Sequence, residues 1–209
     1  MKLLRHKVNL LRRYAYWRRE SCIYIHIPKA AGTSINKAIY GRTLGHYTAE
    51  EIKSLFPVLF ERSFVFSFVR NPWDRVLSAY RFAKAGRTKT MGMYKPEQYK
   101  IPEFDSFEKF LFEWLVHQNL KKVDYVFQPQ YFYVCDVRDQ LIIDFLGKVE
   151  TLDDDIVQVK KTIGKEIEVG FENSTLTNVD FHDLYHNDDM INAVGYIYKK
   201  DVELFGYEF

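Results

Sequence analysis

Residues 21–34, SCIYIHIPKAAGTS, constrain this chain more than any other stretch. An apolar run from Cys22 to Ile27 stops at Pro28, a turn of small residues with one lysine follows, and Thr33 and Ser34 open a helical pattern. The order is strand, loop, helix. A helix start leaves backbone N–H groups without intrahelical partners, and with the helix dipole they favour an anion in the turn. Gly32 lets the backbone approach such an anion, Lys29 adds a full charge, and the hydroxyls of Thr33 and Ser34 add donors. The pattern is not that of an ATP loop, which has two glycines and a lysine directly before Ser or Thr; Lys29 stands three residues ahead of the single Gly32. A plain turn capped by Thr33 or Ser34 is the competing reading.

The rest of the chain supplies a setting for that loop. At 209 residues with 17% aromatics there is material for one domain with a substantial core. A net charge of +2 does not suggest nucleic-acid binding, but the first 19 residues hold seven Lys or Arg and no acid. Residues 2–19 read as a basic arm or helix, solvated or touching the body or an anionic surface such as a membrane. Arginines interrupt this segment too often for a signal peptide or a membrane span, so the expected setting is cytoplasmic. Cys22 and Cys135 lack metal-ligand spacing and read as buried small residues.

Thr33 to Tyr40 reads as a helix ending near Gly41. Thr48, with Glu51 three residues on, opens a short helix through about Phe56. Phe64 to Val69 is an apolar run suited to a strand covered on both faces, beside the first. Asn71 and Pro72 then start a helix from Trp73 to Ala85, ended by Gly86. Arg87 to Phe104 reads as a long exposed loop. The spacing of Phe107, Phe110, Leu111, Trp114 and Leu115 predicts an amphipathic helix over 106–120. A third strand is expected over 141–146, stopped by Gly147, and a helix over 152–163 whose opening acids, Asp153 to Asp155, suit its N-terminus without a metal. A weaker strand over 166–171 and a last helix around Met190 to Tyr198 complete the pattern.

Strand, loop and helix thus occur twice. In FVFSFVRNPWDRVLSAY, residues 64–80, Arg70 emerges from a buried strand and Ser78 lies two turns into the next helix. Ligands of open α/β sheets bind at the carboxyl ends of strands. There the planar fork of Arg70 can grip a phosphate and Ser78 can donate. Taken alone, Arg70 need only pair with a carboxylate, and Arg75 with Asp74 or Glu61 at the surface. Together the two loops offer two anion sites, as a nucleotide with phosphates on both ends of its ribose would need.

HIPKAAGTS and RNPWDRVLSAY resemble the two cofactor motifs of the carbohydrate sulfotransferases that use 3′-phosphoadenosine 5′-phosphosulfate (PAPS). The likeness extends more loosely through residues 144–155 and 198–209, so that residues 21–209 form one sulfotransferase domain behind the segment 1–20. It implies a P-loop-like three-layer α/β/α fold with a central, mostly parallel sheet. It also implies Lys29, Ala30, Ala31, Gly32, Thr33 and Ser34 around the 5′-phosphosulfate, with Arg70 and Ser78 on the 3′-phosphate. No metal is needed, since a sulfuryl group carries less charge than a terminal phosphoryl group and one lysine with aligned amides suffices. The reaction implied is transfer to a hydroxyl of a saccharide, with 3′,5′-ADP as product.

The acceptor hydroxyl needs a base, and GHYTAEE, residues 45–51, resembles the region where heparan sulfate 2-O-sulfotransferase keeps its catalytic histidine. That makes His46 the first choice, beside a surface or structural histidine as the plainer reading. An unperturbed histidine would make turnover rise through the neutral pH range. His26 matches the loop motif but is expected to point into structure. Where some members carry a histidine before Pro-Gln, this chain has Tyr125, Val126, Phe127 and Gln128 ahead of Pro129, so no base comes from there. His117 and Glu103 are the alternatives. A module of the same fold that binds a nucleotide or an anionic glycan without turnover is the opposing class; a nucleotide kinase is disfavoured by the absent Walker spacing.

Overall fold

Three short strands form one sheet: β1 (Cys22–Ile25), β2 (Phe64–Val69) and β3 (Phe145–Lys148), in the order β1-β2-β3 and parallel throughout. The structure, a computed structural model, describes residues 2–87, 92–170 and 180–209. The expected α/β class with a parallel sheet holds, and β2 lies beside β1 with Cys22 opposite Phe64. All four β1 residues are buried, as are Val65 to Val69 of β2, which is why both read as unbroken apolar runs.

Among the described residues the α-helices longer than four residues are, in chain order, α1 (Lys2–Leu11), α2 (Tyr14–Glu20), α3 (Gly32–Tyr40), α4 (Ala49–Leu55), α5 (Pro57–Arg62), α6 (Pro72–Ala85), α7 (Leu152–Ile163), α8 (Asp188–Ile197) and α9 (Lys199–Phe205). None among the described residues is long and apolar enough to cross a membrane. The chain divides into two compact units, Met1–Val69 with Gln130–Glu172 and Arg70–Pro129 with Asn173–Phe209.

The first unit holds the sheet. Its third strand differs from the expected 141–146: β3 starts later and runs through Gly147 instead of stopping there. Leu141 is taken by an isolated bridge to Cys135, and Asp144 is fastened to Val65 at both ends. The Val65 N–H donates to the Asp144 carboxylate at 2.7 Å, and the Asp144 N–H to the Val65 carbonyl at 2.7 Å. Gly147 belongs inside the strand because a Cβ there would lie 2.5 Å from Cε1 of Phe68 and 3.1 Å from Cβ of Asp155. Asp155 accepts from the Lys148 N–H and the Thr151 hydroxyl, both at 2.8 Å, which explains one of the α7 acids without a metal.

The basic N-terminal segment folds as two helices and is not a solvated arm. Leu10 and Trp17 are buried at 3% and 1% exposure, and His6 bonds Glu51 at 2.9 Å, while Leu4, Val8 and Leu11 stay exposed. Thr48 and Glu51 form the expected reciprocal cap of α4. Cys22 and Cys135 are buried, and burial pushes the Cys22 thiol up to about 11, so it is inert at neutral pH. Residues 166–170 form no strand, although Ile167 is buried, and Phe171 lies outside the described residues.

In the second unit α6 has the predicted ends. Asn71 Oδ1 accepts from the Trp73 N–H at 3.0 Å, Pro72 occupies the first turn, and Gly86 closes the helix at φ 73°. Residues 107–117 are helical but not one regular helix: the turn Phe110–Trp114 is widened, and Leu115 N–H reaches both Leu111 and Phe110 carbonyls. Trp114, at φ −123°, thereby lies against Phe104, Phe110 and Phe127 with ring centroids 5.0 to 5.5 Å away. The apolar spacing found the buried face; it could not foresee how four large rings would bend the turn. The segment from Arg87 is less exposed than expected, since Arg87 bridges Gly92 and Met93, Tyr99 and Phe104 are buried; residues 88–91 lie outside the described ones. Helix α9, unforeseen in the sequence, buries Asp201 and Phe205.

Candidate functional site

The loop after β1 has an unusual backbone. Lys29 and Ala31 both adopt positive φ, 67° and 55°, whereas Ala30 between them does not. Alternation of this kind turns successive N–H groups toward one concavity, the geometry of an anion nest. Non-glycine residues in that region carry a cost of about 1–2 kcal/mol each. Helix α3 then begins at Gly32 with Ala31 as its N-cap and no side chain capping it. The alternative of a Thr33 or Ser34 cap is therefore wrong: both hydroxyl residues sit inside the first turn of α3.

Gly32 has a second reason to be glycine. The ring of His26 lies against its α-carbon, and a Cβ would collide with Cδ2 and Nε2 of that ring. His26 is 4% exposed, its Nδ1 has no hydrogen-bond partner, and burial, together with the neighbouring His46, holds its pKa well below the ordinary value. It is a neutral packing element under the loop, as expected for a residue pointing into structure.

His46 stands over the same ring, with centroids 4.1 Å apart. Its Nδ1 lies 3.0 Å from the His26 backbone carbonyl. A carbonyl can only accept, so Nδ1 carries the proton and Nε2 carries the lone pair, which is the tautomer a general base needs. Burial lowers the His46 pKa, with the carbonyl bond opposing. His46 is thus neutral to a lower pH than an unperturbed histidine, and the expected rise of turnover through the neutral range shifts to the acid side.

The residues before His46 are fastened. The Leu44 carbonyl accepts from Arg13 Nε at 2.7 Å, and the Leu44 N–H donates to Asn36 Oδ1 at 3.3 Å. Asn36 Nδ2 donates to the Gly32 carbonyl at 2.9 Å. Gly45, at φ 103°, makes the bend. Sequence reasoning missed Arg13 and Asn36. The one available signal was Asn36 itself, a poor helix former kept inside a helix four residues after the loop glycine.

Arg70 and Ser78 belong to the second unit. Arg70 follows the last residue of β2 and pairs with Asp74, with Nε and Nη2 each 2.7 Å from one carboxylate oxygen. Ser78 is buried on α6 at 6% exposure. Arg75 is no surface ion pair: at 1% exposure it donates to the carbonyls of Val126 at 3.3 Å and Gln128 at 2.7 Å and lies over the Tyr198 ring, holding this unit together. His117 is exposed and Glu103 half-buried, both in this unit. Among the described residues no group of three or more His, Cys, Asp or Glu could hold a metal.

A family model described as the sulfotransferase family matches residues 12–208. No curated protein and no solved structure matches the chain.

Proposed function

The chain belongs to the sulfotransferase family, and we propose that it moves a sulfuryl group from PAPS to a hydroxyl of a saccharide. Sulfuryl transfer to a hydroxyl-bearing acceptor is what family membership gives; the donor and the sugar are our reading. The observation that carries it is the uncapped start of α3 behind a loop whose backbone alternates in φ, with a histidine of the right tautomer beside it. This fits a phosphosulfate: the group needs converging N–H donors and one cation, and Lys29 to Ser34 supply both.

In this mechanism His46 Nε2 takes the proton from the acceptor hydroxyl as its oxygen attacks sulfur. Lys29 and the loop amides stabilise the charge that grows on the bridging oxygen as the S–O bond breaks, and 3′,5′-ADP leaves. Arg70 and Ser78 hold the 3′-phosphate.

The test offers radiolabelled PAPS and a panel of saccharides to wild type and His46→Ala. Turnover should fall by about 10² or more on loss of the base while 3′,5′-ADP affinity is kept. The midpoint of the rise in wild-type rate should lie below pH 6.5, the ordinary histidine value, because burial lowers the His46 pKa. A rise centred above that pH would remove His46 as the base, and a wild type that binds 3′,5′-ADP and turns over no acceptor would favour a binding module instead.

A further inference from the structure

We propose that Arg13 and Asn36 are positioning residues that fix His46, and that Asn36 ties it mechanically to the first turn of α3. The inference rests on the reading of His46 as the base. Arg13 is a basic residue of a segment that the sequence assigns to solvent, to the body of the protein or to an anionic surface. Its Nε holds the Leu44 carbonyl at 2.7 Å, two residues before His46. Leu44 directly precedes the Gly45 bend, so the guanidinium fixes the chain where it turns into His46.

Asn36 works from the other direction. It is fully buried, its amide donates to the Gly32 carbonyl at 2.9 Å, and its oxygen accepts from the Leu44 N–H at 3.3 Å. Gly32 is the first residue of α3, directly after the Ala31 bend, and its α-carbon carries the His26 ring on which His46 rests. Two routes therefore join the loop to the histidine. One runs through the Asn36 side chain to Leu44, the other through the His26 ring and its carbonyl to His46 Nδ1. A displacement of the loop moves the base with it, and catalytic rate is sensitive to misplacements of about 1 Å.

The two residues differ in what they touch, and this separates positioning from general loss of structure. Arg13 reaches only the base segment, whereas Asn36 reaches the base segment and the anion loop. We expect Arg13→Ala to lower kcat roughly tenfold to 10²-fold with 3′,5′-ADP affinity within about twofold of wild type, and Arg13→Lys to recover part of the rate through one donor. Asn36→Ala should lower kcat and weaken 3′,5′-ADP binding together.

The deciding readout needs no turnover. Imidazole 15N spectra of the full chain should show a single Nδ1–H tautomer for His46 in wild type and a mixture of both tautomers in Arg13→Ala. The Arg13 variants carry the test even if Asn36→Ala fails to fold. A folded Arg13→Ala that keeps the single tautomer and wild-type kcat would overturn the proposal. Spread tautomers in Arg13→Ala, with a His46→Ala enzyme of undiminished rate, would uphold the clamp and remove His46 as the base.

Discussion

Two of the chain's passages from strand to helix, those after β1 and after β2, are made by opposite means. After β2 the turn is conventional: Asn71 caps α6 with its side chain, Pro72 fills the first position, and no residue from Arg70 to Asp74 has positive φ. After β1 there is no side-chain cap, and two non-glycine residues, Lys29 and Ala31, sit in the left-handed region. A turn optimised for stability would resemble the second. Backbone strain of this kind persists where function uses it. In the proposed function the first loop binds its anion with backbone N–H groups, while the second leaves that work to side chains, Arg70 and Ser78.

The largest effect that would break this contrast is expected at Lys29, the residue proposed to bring a charge to the first loop. Lys29→Ala should lose turnover by about 10² to 10³, as removal of a single transition-state donor does, and far less 3′,5′-ADP affinity. Single-turnover kinetics at saturating PAPS measure it. A rate near wild type would make Lys29 a tether. The side-chain site should respond in affinity instead. Calorimetry comparing 3′,5′-ADP with 5′-AMP should show a loss of about 1.5 to 3 kcal/mol for the missing phosphate. The same experiment on Arg70→Lys should show most of that difference gone, because the ammonium lacks the fork. Equal affinity of wild type for both nucleotides would remove Arg70 from the site.

A smaller effect separates the two helix starts without any ligand. Asn71→Ala should cost about 1 to 2 kcal/mol of stability, since it removes the α6 cap and a 3.0 Å bond from its amide to the Glu208 carbonyl. Ser34→Ala, inside a helix that no side chain caps, should stay within about 0.5 kcal/mol of wild type. Urea unfolding of both variants reads the difference. A Ser34 cost as large as that of Asn71 would mean that α3 is capped after all.

How far these features were legible in the sequence follows the same division. Asn71, Pro72, Thr48 and Glu51 announced their caps because capping is local chemistry between residues two or three apart. β1 and β2 were legible because burial on both faces leaves an unbroken apolar run. What was not legible depends on partners distant in sequence. Asp144 replaces a strand start by binding Val65, 79 residues away, and Gly147 serves the Phe68 ring. Arg13 reads as one more charge in a basic segment until its acceptor at Leu44 is seen. The identity of Gly32 was readable and half its reason was not, because only the fold brings the His26 ring against it.

The smallest effect is a change of sign. Ala31 holds φ 55°, where an alanine is worse off than a glycine by roughly 1 to 2 kcal/mol. Replacing it by glycine releases that strain, and the added freedom of the unfolded chain takes back about 0.5 to 1 kcal/mol. The net expectation for Ala31→Gly is a gain of at most about 1.5 kcal/mol. Ala38 lies within α3 at ordinary helical geometry, and there the same replacement has no strain to release, so Ala38→Gly should lose about 1 kcal/mol. The two variants make one chemical change seven residues apart and should move stability in opposite directions. Should Ala31→Gly lose as much as Ala38→Gly, the loop would hold no strain and the two passages from strand to helix would be alike. If the gain appears and PAPS turnover falls with it, the stiffness of an alanine in the left-handed region is what keeps the loop N–H groups aimed before the donor arrives.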